Sequence, residues 1–428
     1  MNLFKKMIVP LGNLKITNKY NFLLIITTRS VSKFGTAIFS FALSIYVLDI
    51  TNSAYNFSLF LALSYLSGAI AKLIAGPIVD KYDKKNIFIF SDILSGVAVL
   101  LFMMLFISCP HSISLLMVYN IILPIIQSFY MVTTQASIPI IVPEHHIAKT
   151  NSFFQAIGSI VGVLGPVIGV IAYRNIQMET IFLLNGISFL LSSIGEVFIK
   201  FDEQPINIHE DIGFVQDVKM AFRYLKSFPI LELLIGLASV TQFFFAPLFS
   251  VVVPYISYKI INVSEMQLSI IQGAMALGVI IGTMIITFSS SFKKFLKYNI
   301  FLLIAQSGFV FLFVSIETFQ QLFLAKWYVT LLFSGILVAI GILNILQLVP
   351  LMSTLQLLIP QKFRGKILSL AFSAMEIFVP LGMYIYGVLL DKIKWSYLPA
   401  IAGISIILIC IYILNNKYYK EFIKDNTN

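Results

Sequence analysis

Ionisable side chains are scarce in this chain. Asp, Glu, Lys and Arg make up 11% of its 428 residues, against 59% hydrophobic. A soluble globular domain carries about 25% charged residues, so that class is excluded. Cysteine is almost missing. Cys109 and Cys410 fall near opposite ends of the predicted spans, which excludes a disulfide between them. The four histidines, His111, His145, His146 and His209, show no metal-ligand spacing, and the adjacent side chains of His145 and His146 diverge. No phosphate-cradling glycine loop, nucleophile elbow or zinc spacing occurs. An ATP-driven pump or a membrane enzyme therefore has no constellation to carry it, and neither a metal nor a bound cofactor is expected. Met1 to Leu14 lacks the long apolar core and small-residue cleavage site of a removable signal, so the first span is expected to be retained.

What is abundant is uninterrupted apolar sequence. A bilayer core of about 30 Å takes about 20 helical residues to cross. The runs are continuous, without the two-residue alternation of a barrel strand. They predict an all-α membrane protein of twelve transmembrane helices, over 21–48, 56–79, 87–108, 113–140, 150–173, 180–200, 229–258, 266–290, 298–316, 327–350, 365–390 and 396–415. Of the 29 Lys and Arg, 21 fall in segments on the side of the two termini and 5 in the loops opposite, with Arg29, Lys33 and Lys72 inside spans. That excess places both termini in the cytoplasm, with the chain in a cell inner or plasma membrane. It also accounts for the net charge of +10, as a basic face toward anionic lipid rather than a surface for nucleic acid.

The spans divide six and six around a polar stretch. This gives an N-terminal bundle over 1–200, a linker over 201–228 and a C-terminal bundle over 229–428. In the linker, Phe214, Val218, Ala221, Phe222 and Leu225 share one helical face, as in an amphipathic helix lying on the membrane surface. The halves also resemble each other. Pro143, Lys149, Ser152 and Gly165 recur as Pro360, Lys366, Ser369 and Gly382 at a constant offset of 217, which also pairs Gln127 with Asn344. Two pseudo-symmetric six-helix bundles with a midplane site between them are one way secondary transporters are built.

Polar residues inside the spans are the candidates for function, because each is expensive in a membrane unless it meets water or a partner. The first span carries Arg29, Lys33, Thr36, Ser40 and Ser44 at helical spacing on one face. Lys33 lies about 18 Å into the span, where it either lines a cavity or forms an ion pair between helices. Arg29, nearer the end, is expected to snorkel. Glu376 is the carboxylate placed nearest the middle of a span. It either takes up a coupling proton or pairs with Lys33 or another polar group. Asp92, Glu196 and Glu232 are read as interfacial. Gln127, Gln242, Phe244, Asn344 and Gln347, with Thr36, are candidate cavity residues. Gly158, Gly162, Gly165 and Gly169 around Pro166 read as a close-packing face.

The loop after the second span reads Gly76-Pro77-Ile78-Val79-Asp80-Lys81-Tyr82-Asp83-Lys84-Lys85. With this loop the chain resembles the major facilitator superfamily, most closely its macrolide-efflux-type drug exporters. The superfamily pattern is Gly-x3-Asp-Arg/Lys-x-Gly-Arg/Lys-Arg/Lys. Gly76, Asp80, Lys81, Lys84 and Lys85 match it, and Asp83 stands where the superfamily has glycine and the macrolide-type subgroup tends to carry Asp. Ser91-Asp92-Ile93 and Thr51-Asn52-Ser53-Ala54 also look like that subgroup, and Gly165-Pro166-x2-Gly169 is similar to the antiporter motif of the fifth span. The resemblance implies that Asp80 caps a cytoplasmic latch and meets Arg364 at the start of span eleven, an arrangement that a helix N-terminus and a guanidinium would both favour. The arginine that many proton-antiporting relatives carry in span four has no match between Leu115 and Ile140.

The expectation is a secondary active transporter, not an enzyme. It would export amphiphilic drugs such as macrolides by alternating access, energised by the proton gradient, and act as a monomer. A cavity rich in aromatics and poor in charge suits such cargo better than sugars or phosphates. Export of an endogenous peptide, siderophore or lipid, and a transport-inactive membrane sensor, are the alternatives.

Overall fold

The computed structural model describes residues 16–141, 144–200, 228–288, 292–320, 326–358 and 361–427. The expected amphipathic linker lies outside them, apart from Phe228. Twelve long helices run through the described residues: α1 Ile16–Thr51, α2 Ala54–Lys81, α3 Lys84–Ser108, α4 Ile113–Ile141, α5 Glu144–Asn175, α6 Met178–Val197, α7 Pro229–Ile260, α8 Glu265–Phe288, α9 Asn299–Gln320, α10 Lys326–Leu358, α11 Gln361–Leu390 and α12 Tyr397–Asn415. Ten are long and apolar enough to cross a membrane, and α5 and α11 hold the shorter apolar stretches Ile160–Asn175 and Met375–Leu390. Helix is the natural solution in lipid, since it satisfies every backbone polar group within one segment. Short helices at Phe292–Lys297 and Lys417–Thr427 complete the described chain.

Local chemistry sets the turns. The start of α1 and the end of α12 lie at one end of the bundle, here called the terminal end; the opposite end is the distal end. At the distal end Asn52, His111 and Asn262 take positive φ of 48°, 67° and 54°, a region that Asn and His enter more readily than most residues. Ser53 caps α2 through Asn56 N at 3.3 Å. Asp83 caps α3 by accepting from Lys85 N at 2.8 Å and Asn86 N at 3.4 Å.

The six-helix halves differ in their cores. In the N-terminal bundle Phe39 stands edge-on to Phe182 at 4.6 Å and to Tyr119 at 5.4 Å, contacts worth about 0.5–1.5 kcal/mol each beyond burial. The C-terminal bundle is built on a larger aliphatic and aromatic cluster that includes Phe245, Phe313, Phe333 and Ile406. The halves meet chiefly along α2 with α11 and α5 with α8. Gly387 of α11 lies so close to Ser58 and Ala54 of α2 that any side chain there would collide. Leu101, Met104, Leu191, Leu331 and Leu408 point outward, toward lipid.

Candidate functional site

Glu376 sits about midway along α11, and its partner is Lys72 of α2, not Lys33. The Lys72 ammonium lies 3.0 Å from Oε2 and 3.3 Å from Oε1, across the boundary between the halves. The side chains keep 35% and 41% of their exposure. An ion pair that wet contributes about 0–1 kcal/mol, so it joins the halves weakly enough to be broken. Lys72 carried no distinguishing signal in the sequence beyond being a cation inside a span.

A second set of contacts joins the halves at the distal end. Asp49, at the end of α1, accepts from Tyr173 of α5 at 2.8 Å and Tyr258 of α7 at 2.9 Å, and pairs with Lys259 of α7 at 2.7 Å. Lys259 also donates to the Asn52 side chain at 2.8 Å. Nearby, Asp391 accepts from Ser53 Oγ at 3.4 Å and Tyr55 N at 3.3 Å. Hydrogen bonds to charged groups contribute about 1.5–3 kcal/mol, so this clamp outweighs the mid-depth pair. Consecutive residues Tyr258 and Lys259 both reach Asp49 from a stretch of α7 that leaves the α register. The turns Leu248–Val252 and Ile256–Ile260 are π-helical, around Val253–Tyr255. Pro254 in that stretch lacks a backbone donor and cannot support a regular ladder. Sequence reasoning placed Asp49 and Lys259 in loops. Their signal was rarity, as ionic residues on a side that holds few.

The remaining candidates separate on inspection. Arg29 does not snorkel. It lies on the face of α1 that packs against α5, where its guanidinium is buried over the Phe154 ring at 4.0 Å. Lys33 is half-buried against α5, and a Cβ at Gly158 would come within 3.4 Å of its ammonium. Thr36 is satisfied by its own helix, donating to Ser32 O at 2.8 Å. Gln127 donates to Ser95 at 2.8 Å between α4 and α3, and Gln347 donates to Gln306 at 2.8 Å between α10 and α9. Each of these amides thus finds a partner within its own bundle. Gln242 is exposed, Asn344 half-buried, and Phe244 packs on the C-terminal core while its carbonyl accepts from Tyr386 at 3.1 Å.

The glycines of α5 lie on its contact faces. A Cβ at Gly165 would stand 2.8 Å from Ala37 Cβ, and one at Gly169 would stand 2.9 Å from Ile38 O, both on α1. Gly162 faces Ala276 of α8 more loosely, and Pro166 stays within the helix. In the loop after α2, Gly76 has open space around it, and Lys84 and Lys85 are half-buried. The side chains of Asp80, Lys81 and Arg364, the three residues of the expected latch, lie outside the described residues. Asp92 and Glu196 are not interfacial, since both are fully buried inside the N-terminal bundle. Glu232 is exposed near the start of α7.

Twelve long helices in two packed bundles, ten of them long and apolar enough to cross a bilayer, mark a multi-pass membrane protein. The sequence model of the Major Facilitator Superfamily matches residues 25–377, and the chain belongs to that superfamily. It is 23% identical over 408 residues to macrolide efflux protein A of Streptococcus pyogenes, covering 92% of this chain and 95% of that one. It is 22% identical over 336 residues to macrolide efflux protein A of Enterococcus faecalis, covering 75% and 97%. Among solved structures it shares its fold with a D-xylose–proton symporter, at TM-score 0.69, 14% identity and coverage of 91% and 96%. A nucleoside transporter matches at TM-score 0.70, 9% identity and coverage of 92% and 98%.

Proposed function

We propose that the chain exports amphiphilic drugs of the macrolide type by alternating access, driven by the proton gradient. The observation that carries this reading is the half-wet Lys72–Glu376 pair across the two bundles at mid-depth. A proton on Glu376 removes the charge that Lys72 answers, so protonation and separation of the halves become one event. The distant macrolide-efflux relatives support the cargo class. In this reading the terminal end is cytoplasmic and the distal clamp around Asp49 closes the outer side. Asp80 and Arg364 form the inner latch when the cavity turns outward. Residues 1–200 and 229–428 move as two bodies joined by the linker 201–228, and one chain suffices.

The test is macrolide accumulation in an efflux-deficient bacterium expressing the native chain, Glu376→Gln or Asp80→Asn, with and without a protonophore. The native chain should lower accumulation, and the protonophore and Glu376→Gln should each restore it. Unchanged accumulation with well-expressed native protein would refute drug export.

A further inference from the structure

The N-terminal bundle encloses a pair of buried carboxyl groups, apart from the half-exposed Lys72–Glu376 pair. Asp92 of α3 and Glu196 of α6 are both fully buried. Their carboxyls face each other, and Tyr130 of α4 closes the group. Tyr130 donates to Glu196 Oε1 at 3.0 Å, and Ser192 donates to the same oxygen at 3.2 Å. Oε2 of Glu196 and both oxygens of Asp92 have no donor in good hydrogen-bond geometry, although Ser192, Gln127 and the Glu196 carboxyl all stand beside Asp92. Ser91 and Ser95 donate instead to carbonyls of their own helix, and Gln127 donates to Ser95. No cation pairs with either carboxyl among the described residues. The one charged group behind Tyr130 is Arg29 of α1, whose Nη1 is buried without a hydrogen-bond partner.

Two neighbouring carboxyls, sealed from water and with no cation beside them, cannot both be ionised in this arrangement. We infer that Asp92 and Glu196 form an internal proton-carrying site of the N-terminal bundle, separate from the Lys72–Glu376 pair. One carboxyl oxygen holds the proton and turns it toward the other residue. That bond would fill an acceptor now left empty. When the proton leaves, the added negative charge has one neutralising group within reach, the unpaired edge of Arg29 beyond Tyr130. Proton release would thus draw α1 toward α4 and α6, and α1 is also the helix that carries Asp49 into the distal clamp.

The fold itself does not ask for these acids. At the repeat offset of 217, Tyr130 corresponds to Gln347 and Glu196 to Ile413, and Ile413 is simply buried. The counterpart helices α9, α10 and α12 hold one acidic residue among them, Glu317 near the distal end of α9. The depth of the Asp92–Glu196 pair fits proton exchange with the terminal end. Asp92 lies about 12 Å along α3 from that end, and Glu196 is one residue from the end of α6.

In its consequence for transport the inference rests on the proton-driven reading; in its chemistry it does not. The first arm therefore needs no substrate. Infrared spectra of the purified full-length chain in lipid vesicles should show a protonated-carboxyl band at neutral pH that resists fast solvent exchange. Asp92→Asn and Glu196→Gln should each shift or weaken it, since one buried carboxyl remains, the double exchange should remove it, and Glu376→Gln should keep it. A native chain with no such band, or a band unmoved by either substitution, would overturn the inference even if a variant folds poorly. So would a band lost on adding sodium ions, which would make the pair a metal-cation site. The second arm compares two modes of radiolabelled erythromycin movement in the same vesicles. Glu196→Gln should lose gradient-driven uptake at least tenfold while retaining exchange of erythromycin across the membrane. Equal loss of both modes would mean a structural role. A native chain that moves no erythromycin but shows the band would sink the drug reading and leave the proton site standing.

Discussion

The two halves of this carrier share a backbone plan and differ in what they bury. The C-terminal interior holds neutral amides that answer one another: Gln347 donates to Gln306, and Asn299 donates to the Gln347 carbonyl at 2.9 Å. The N-terminal interior holds Asp92, Glu196 and Arg29. These are the charged residues with orphaned buried atoms among the described residues. Orphaned neutral groups occur on both sides, for example Asn185 and Gln272. A satisfied amide network fixes packing. A buried charge without its partner is a cost that persists only when the group is neutralised or used. The comparison teaches that two halves with one helix plan can differ in what they bury, the unpartnered charged groups lying in the N-terminal half.

The sharpest way to break that contrast is to move the acid. Ile413→Glu would place a carboxyl in the C-terminal core, where no Tyr or Ser stands ready at the repeat position. It should cost several kcal/mol and yield little monodisperse protein on size-exclusion chromatography. The reverse change, Glu196→Ile, leaves Tyr130 and Ser192 without their acceptor. It should fold but lower stability by about 1–3 kcal/mol for each orphaned group, read as a drop in thermal midpoint. Gln347→Leu tests the amide side. It orphans Gln306, should cost about 1–3 kcal/mol, and should leave the infrared carboxyl band unchanged. The smallest effect is Asp83→Ala, which removes the cap of α3. About 1 kcal/mol of stability should be lost, with no change in drug accumulation if capping is its whole role.

The architecture was legible because membrane-length apolar runs leave little choice. The expected spans and observed helices agree closely. The differences are at the terminal end, where α1 begins at Ile16 rather than near residue 21, α5 at Glu144 rather than 150, and α10 runs on to Leu358 rather than 350. The glycine face of α5 was legible for the same kind of reason, since small residues at helical spacing have one structural use. Partner choice was not legible. Glu376 stood out in the sequence, but its distance from Lys33 and Lys72 depends on how α11 crosses α2, which no periodicity encodes. Asp92 and Glu196 were misplaced because depth was judged along each helix alone. Both lie toward helix ends, and only the packing of α3, α4 and α6 buries them. The distal clamp was missed because its residues come from α1, α5 and α7, and the π-helical turns of α7 have no sequence period of their own.

The central claim is that proton entry separates two bundles held by Lys72 and Glu376. It is tested most directly with the purified chain in vesicles under an imposed pH gradient, following erythromycin uptake in the native protein, Glu376→Gln and the double exchange Lys72→Glu with Glu376→Lys. The account predicts gradient-driven uptake by the native chain and its loss in Glu376→Gln. It also predicts partial return in the double exchange, which restores the pair across the halves. Full gradient-driven uptake by Glu376→Gln would contradict it.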